Sequence, residues 1–254
     1  MLLMSLFRFP ALLARPLLCA LAFLCALTGA LPASAATPPA TSQSVLPDTL
    51  EQRLMACTSC HSAKEQRDAF FPHIEGKPAG YLYNQLINFR EGRRQYPLMT
   101  YMVDHLSDPY LHEIARYFSE KKPTSVSAQA TTASAAMLAR GRTLATLGDP
   151  AINVPACIAC HGQKLTGVAP AIPGLLGLPR DYINAQFGAW KNHLRRANAP
   201  DCMATIASRL SNADVAAVSG WLATQAMPQD ARPAPQLVAP LPIRCGGVPD
   251  GASS

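Results

Sequence analysis

The chain lacks the concentrated stripe of basic residues that a nucleic-acid surface requires, although its formal net charge is +6. Charged side chains make up only 15% of it, and the modest positive excess suits an acidic partner surface instead. It is also poor in β-branched alternation; its flanking segments show helical periods, which removes the βαβ setting of a thioredoxin-like dithiol. Long apolar runs are scarce as well. The one at residues 17–31 contains Thr28 and Gly29, is followed by Pro32, and falls short of the roughly 20 residues of a bilayer span.

That run has the setting of an export signal. Arg8 and Arg15 precede its end, no acidic residue does, and Ala33-Ser34-Ala35 supplies a small-x-small cleavage pattern. Residues 1–35 are therefore expected to be a signal peptide, leaving an exported chain that does not itself span a membrane.

Of eight cysteines, Cys19 and Cys25 belong to the leader. Cys57 and Cys60 form one Cys-x-x-Cys pair and Cys157 and Cys160 a second, each followed at once by a histidine, His61 and His161. A zinc ribbon needs neither histidine and brings its pairs within a few tens of residues. These pairs lie 100 residues apart. Covalent haem accounts for every position, because two thiols add to the vinyl groups of one porphyrin while the adjacent imidazole reaches the iron from the same side. Two such motifs predict two covalently bound haem c groups.

The rest of the chain repeats in step with the motifs. Pro72 matches Pro173, Gly76 matches Gly177, Tyr81 matches Tyr182 and Gln85 matches Gln186, while "MTYMVDHLSD" matches "MATIASRLSN". Leu82, Leu86 and Phe89, and again Ile183, Phe187 and Trp190, stand at i, i+4 and i+7, an apolar helical stripe. Further on, Ser107 or Asp108 can cap a helix with Pro109 in its first turn, and Ser211 with Asp214 resembles a capping box. Leu111, Ile114 and Phe118, like Val215, Val218 and Leu222, give those helices an apolar face. Each copy is thus an all-α unit of roughly 80–95 residues, small for a purely hydrophobic core, to which a porphyrin would add apolar mass.

An iron with one histidine needs a sixth ligand or an open site. The second copy offers Met203, Met227, His193 and Cys202, and the first offers Met99, Met102, His73, His105 and His112. Met99 and Met203 each stand seven residues before the leucine of the "LS(D/N)" helix start, Leu106 or Leu210, and no histidine is matched across the copies. Matched methionines point to axial thioethers, which fill the sixth site, favour ferrous iron and raise the potential.

The duplicated Cys-x-x-Cys-His, the segment "FPHIEGKPAGYLYNQLINFREG", and a methionine followed by "LSD" and an amphipathic helix resemble the dihaem class I cytochromes of the cytochrome c4 type. The resemblance covers about residues 50–226. It implies two tandem cytochrome c-like domains, here 45–122 and 135–227, joined by a polar linker at 123–134. It implies a periplasmic carrier of single electrons between respiratory redox partners, with a membrane-bound oxidase or a quinol-oxidising complex among the candidates, working toward a terminal oxidase or reductase and without enzymatic activity of its own. It also implies that the carbonyls of Pro72 and Pro173 accept a hydrogen bond from His61 and His161, fixing the imidazoles. Alternatives are a cytochrome subunit of a dehydrogenase or oxidase complex, and a haem enzyme acting on peroxide or sulfur compounds. The sulfur enzyme would need a thiolate ligand, for which only Cys202 is placed.

Two features depart from the family pattern. "SAKEQRDAFFP" follows the first motif where a glycine-rich loop is usual in the family. The doubled arginines Arg93-Arg94 and Arg195-Arg196 recur after the stripe helix in both copies; haem propionates or a partner are alternatives for them, with solvated turn charges the expected account. The proline-rich tail at 228–254 has no counterpart, and its composition reads as a flexible extension. Its Cys245 and the remaining Cys202 are expected to pair as a disulfide in an oxidising compartment, bracing the loop before Met203.

Overall fold

The computed structural model describes residues 48–61 and 70–249. The expected leader lies outside them. The first half begins with α1 (Leu50–Arg53), capped by the Thr49 hydroxyl, which accepts the Gln52 N–H at 3.2 Å. It continues through α2 (Met55–His61), α3 (Ala79–Arg90), α4 (Pro97–Val103) and α5 (Asp108–Glu120). The predicted stripes are its buried faces: Leu82 and Phe89 of α3 meet Leu111, Ile114 and Phe118 of α5, with Leu54 and Val103 closing the core. Each such side chain contributes about 1.5–3 kcal/mol on burial.

The second half repeats the plan with α6 (Ala135–Thr146), α7 (Cys157–His161), α8 (Arg180–Lys191), α9 (Cys202–Arg209) and α10 (Asn212–Ala223). Between α7 and α8 the two-residue strands β1 (Gly167–Val168) and β2 (Ile172–Pro173) pair antiparallel, the one departure from an otherwise helical fold among the described residues. Gly141 of α6 lies so close to Ala217 and Trp221 of α10 that a side chain there would collide with them. Leu144, Ile183, Phe187, Val215, Val218 and Leu222 form the core beneath that crossing. Ser211 and Asp214 make the capping box at the start of α10, and Arg140 ties that aspartate to α6 at 2.8 Å. Ser107 stands at the matching N-cap position of α5 without a side-chain cap bond. The matched glycines Gly76 and Gly177 have φ of +69° and +75°, a left-handed backbone that accounts for glycine in both copies.

The two halves meet through a nearly symmetric seam. Gln95 N–H donates to Leu194 O and Arg196 N–H to Arg93 O, each at 2.7 Å, and Gly80 N–H donates to Pro170 O at 2.9 Å. Here the expectation for the doubled arginines is corrected in part. Arg196 is exposed and Arg93 is half-buried on Asn88 and Glu91 of its own half, but Arg195 is only 7% exposed and Arg94 half-buried, because the seam pairs their backbones face to face. Arg94 donates to Gln85, Tyr182 and Gln186, and Arg195 to Gln186 and Gln85, so each half's arginine reaches into the other half.

The expectation of a flexible tail is also corrected. Through residue 249 the tail packs on the second half. Ala234 forms a parallel bridge with Val168, exchanging backbone hydrogen bonds with Ala169 and Gly167 at 2.8 and 2.9 Å. Leu237 is buried with Val168 and Ile172, and Leu241 and Val248 pack against them. Proline-rich composition forbids an independent core, but a short apolar segment can dock on one already built. The 123–134 segment runs extended and is likewise held, by Thr124 donating to Glu75 at 2.5 Å and Gln129 N–H to Ala223 O at 2.8 Å.

Candidate functional site

Each cysteine motif folds as a single short helix, α2 or α7, so its two cysteines and its histidine share one face at i, i+3 and i+4. All four motif thiols are free of disulfides. Burial pushes the Cys57 and Cys160 thiols up and the Cys157 thiol up to about 11, the opposite of the lowered pKa of a poised dithiol centre.

The histidines are held alike. Nδ1 of His61 lies 2.8 Å from Pro72 O, and Nδ1 of His161 lies 2.8 Å from Pro173 O. A ring nitrogen facing a carbonyl oxygen must donate, which fixes the tautomer and leaves Nε2 as a free lone pair. Burial lowers the pKa of both rings, keeping them neutral and fit to ligate a metal.

In the second half a cavity of about 200 Å³ opens in front of His161. Cys157, Cys160 and His161 lie on its wall together with Met203, which α9 carries, so one space gathers all four residues. Ile183, Phe187, Leu222 and Trp190 supply apolar walls. In the first half Cys57, Met99 and Met102 pack on one core. Packing does not separate the two methionines there; the match of Met99 to Met203 does. The segment 62–69 beside this motif lies outside the described residues.

The polar groups around the cavity favour an anionic occupant. Lys77 and Arg195 line it, burial lowers the pKa of both, and among the described residues no carboxylate pairs with Arg94 or Arg195. Trp190 also lines it, with a buried Nε1 that has no partner. Haem c meets these demands with an apolar ring, two thioether attachment points, an iron for the imidazole, and propionate carboxylates for the unpaired cations and donor. The residues present fit the group.

The sequence places Trp190 on the apolar stripe without a role for its indole N–H, favours solvated turn charges over propionate or partner contacts for the doubled arginines, and gives the tail wall no role. The seam had a signal: Arg94 and Arg195 repeat at the same offset as the Tyr81/Tyr182 and Gln85/Gln186 pairs, and a duplicated polar triple marks a shared contact. The tail had none beyond Cys245. The structure joins Cys245 to Cys202 in a disulfide with Cα atoms 5.0 Å apart, which leaves no Cys202 thiolate for an iron.

No family model matches the chain. A thiosulfate dehydrogenase electron acceptor from Thiomonas intermedia is 38% identical over 172 residues, covering 67% of this chain and 78% of that protein. Cytochrome c4 of Pseudomonas aeruginosa is 31% identical over 175 residues, 68% of this chain and 85% of that one. Among solved structures, reduced cytochrome c4 from Pseudomonas stutzeri superposes with a TM-score of 0.59 at 28% identity, over 68% of this chain and 95% of its own. The chain belongs to the cytochrome c4 family, whose members carry haem c, and it is an electron-transfer protein rather than an enzyme.

Proposed function

We propose that the chain carries two haem c groups, one in each half, and moves single electrons in the periplasm between a thiosulfate-oxidising dehydrogenase and an acceptor of a respiratory chain. The gathering of Cys157, Cys160, His161 and Met203 on one cavity wall carries this reading. The named role of the Thiomonas relative favours the donor. No described helix is long and apolar enough to cross a membrane, which is consistent with a carrier that travels.

Haem iron supplies one-electron chemistry. The protein's residues do the rest. Cys57 and Cys60 tether the first group, Cys157 and Cys160 the second. His61 and His161 would hold the iron through Nε2 while the carbonyls of Pro72 and Pro173 hold the rings, and Met99 and Met203 would supply thioether donors, a donor set that suits a carrier. Arg94, Arg195 and Lys77 place positive charge at the seam between the groups.

The test is reduction by a coupled donor. Thiosulfate with a catalytic amount of thiosulfate dehydrogenase reduces the protein by two electrons per chain, whereas thiosulfate alone leaves it oxidised. Steady turnover of thiosulfate by the isolated chain would contradict the assignment.

A further inference from the structure

The docked tail forms part of the second site. Leu241, Ile243, Cys245, Gly247 and Val248 line the same cavity as His161 and Met203. The tail is fastened at several points. Gly246 N–H donates to Pro200 O at 2.9 Å, and Gly247 O accepts from the Asn84 side chain at 2.8 Å. Gly246 presses on the backbone of Asn198 and Ala199 with no room for a side chain. The disulfide then bonds Cys245 to Cys202, the residue before Met203. Asp201 adds a cap beneath it, accepting from Ala197 and Ala204 N–H at 2.7 and 2.9 Å.

Among the described residues the first half has none of this. Its chain passes from α5 straight into the 123–134 segment. Tyr96, at the N-cap of α4, makes no side-chain cap bond. Leu98, which the repeat matches to Cys202, is 49% exposed, and Tyr101 is 77% exposed.

We propose that residues 234–248 are a covalently pinned lid over the second haem, holding the first turn of α9 that carries Met203 and barring water and small ligands from that iron, while the first haem has no such brace among the described residues. The inference rests on the two-haem reading above. To bind an added ligand, the iron must release its thioether and the helix turn that carries the methionine must move aside. In the second half that motion works against the disulfide, the Asp201 cap and the Gly246 contact together; in the first it works against none of them.

The test is titration of the ferric protein with imidazole, after counting haems by mass on the denatured chain. The lid predicts two binding phases separated by about tenfold or more in affinity. In Cys202→Ser/Cys245→Ser the weaker phase moves toward the stronger by about tenfold and the stronger stays in place. Hydrogen exchange of the unmodified protein decides the matter should that variant fail to mature: the amides of Ala234 and Gly246 are protected in the oxidised chain. A mass for one haem would remove the two-haem reading. Two haems that bind imidazole in one phase, a variant that titrates like the parent, or tail amides exchanging as in a free peptide would overturn the lid alone.

Discussion

The two halves share a plan but differ in closure. His161 is 7% exposed and faces a cavity to which the tail lends one wall, while His61 is half-buried and α4 turns Leu98 and Tyr101 to solvent. The second half adds a capping box on α10 and an Arg140–Asp214 tie to α6, whereas the first has Ser107 uncapped. The matched features are the motif helices, the His–Pro contacts and the apolar stripes, whereas the disulfide, the docked tail and the capping box belong to one half alone among the described residues, so the halves can differ in stability and access on one plan.

Removing a tether tests the shared plan with the largest effect. Cys157→Ala/Cys160→Ala leaves one haem per chain, on the first half, as read by mass and by haem staining of the denatured protein. Cys57→Ala/Cys60→Ala does the converse. Retention of both haems in either variant contradicts the assignment.

Next in size are the methionines. Met203→Ala and Met99→Ala each abolish half of the weak far-red band of ferric, thioether-ligated haem and lower one of the two potentials. If Met102→Ala removes that band while Met99→Ala does not, the repeat-based choice in the first half is wrong.

The disulfide measures the asymmetry directly. Both tryptophans, Trp190 and Trp221, lie in the second half, so fluorescence during unfolding reports that half alone. Cys202→Ser/Cys245→Ser destabilises it by about 2–4 kcal/mol, the typical range for a disulfide, and leaves unfolding of the first half, followed by hydrogen exchange of the α3 and α5 amides, unchanged. Equal shifts in both halves would break the comparison.

Smallest is the acid response. Burial raises the Asp214 carboxyl, but bonds from Ser211 and Arg140 outweigh it and hold the pKa below the ordinary value. A depressed folded-state pKa adds stability that is complete above the unfolded value near 3.9 and is lost as pH falls through the folded one. Asp214→Asn therefore costs about 1 kcal/mol at neutral pH, as a lost cap does, and flattens the decline of second-half stability below about pH 4.

Local spacing made much of this legible. The helical stripes could be read because each depends on residues within two turns, and Leu111, Ile114 and Phe118 are buried as their periodicity requires. The duplication sharpened the reading by discarding candidates present in one copy only. What escaped depends on which surfaces meet. Arg94 and Arg195 have the local sequence of a solvated turn, and their burial follows from the pairing of two turns about 100 residues apart. The tail lacks the composition of a core segment, yet it docks because Val168 and Ile172 leave an apolar surface for Leu237.

The account stands or falls on two thioether-ligated haems in one chain. An optical redox titration of the matured protein tests this most directly. The account predicts two one-electron steps of equal amplitude, each ferric form contributing half of the far-red band. A single haem's absorbance, or a far-red band confined to one step, would contradict it.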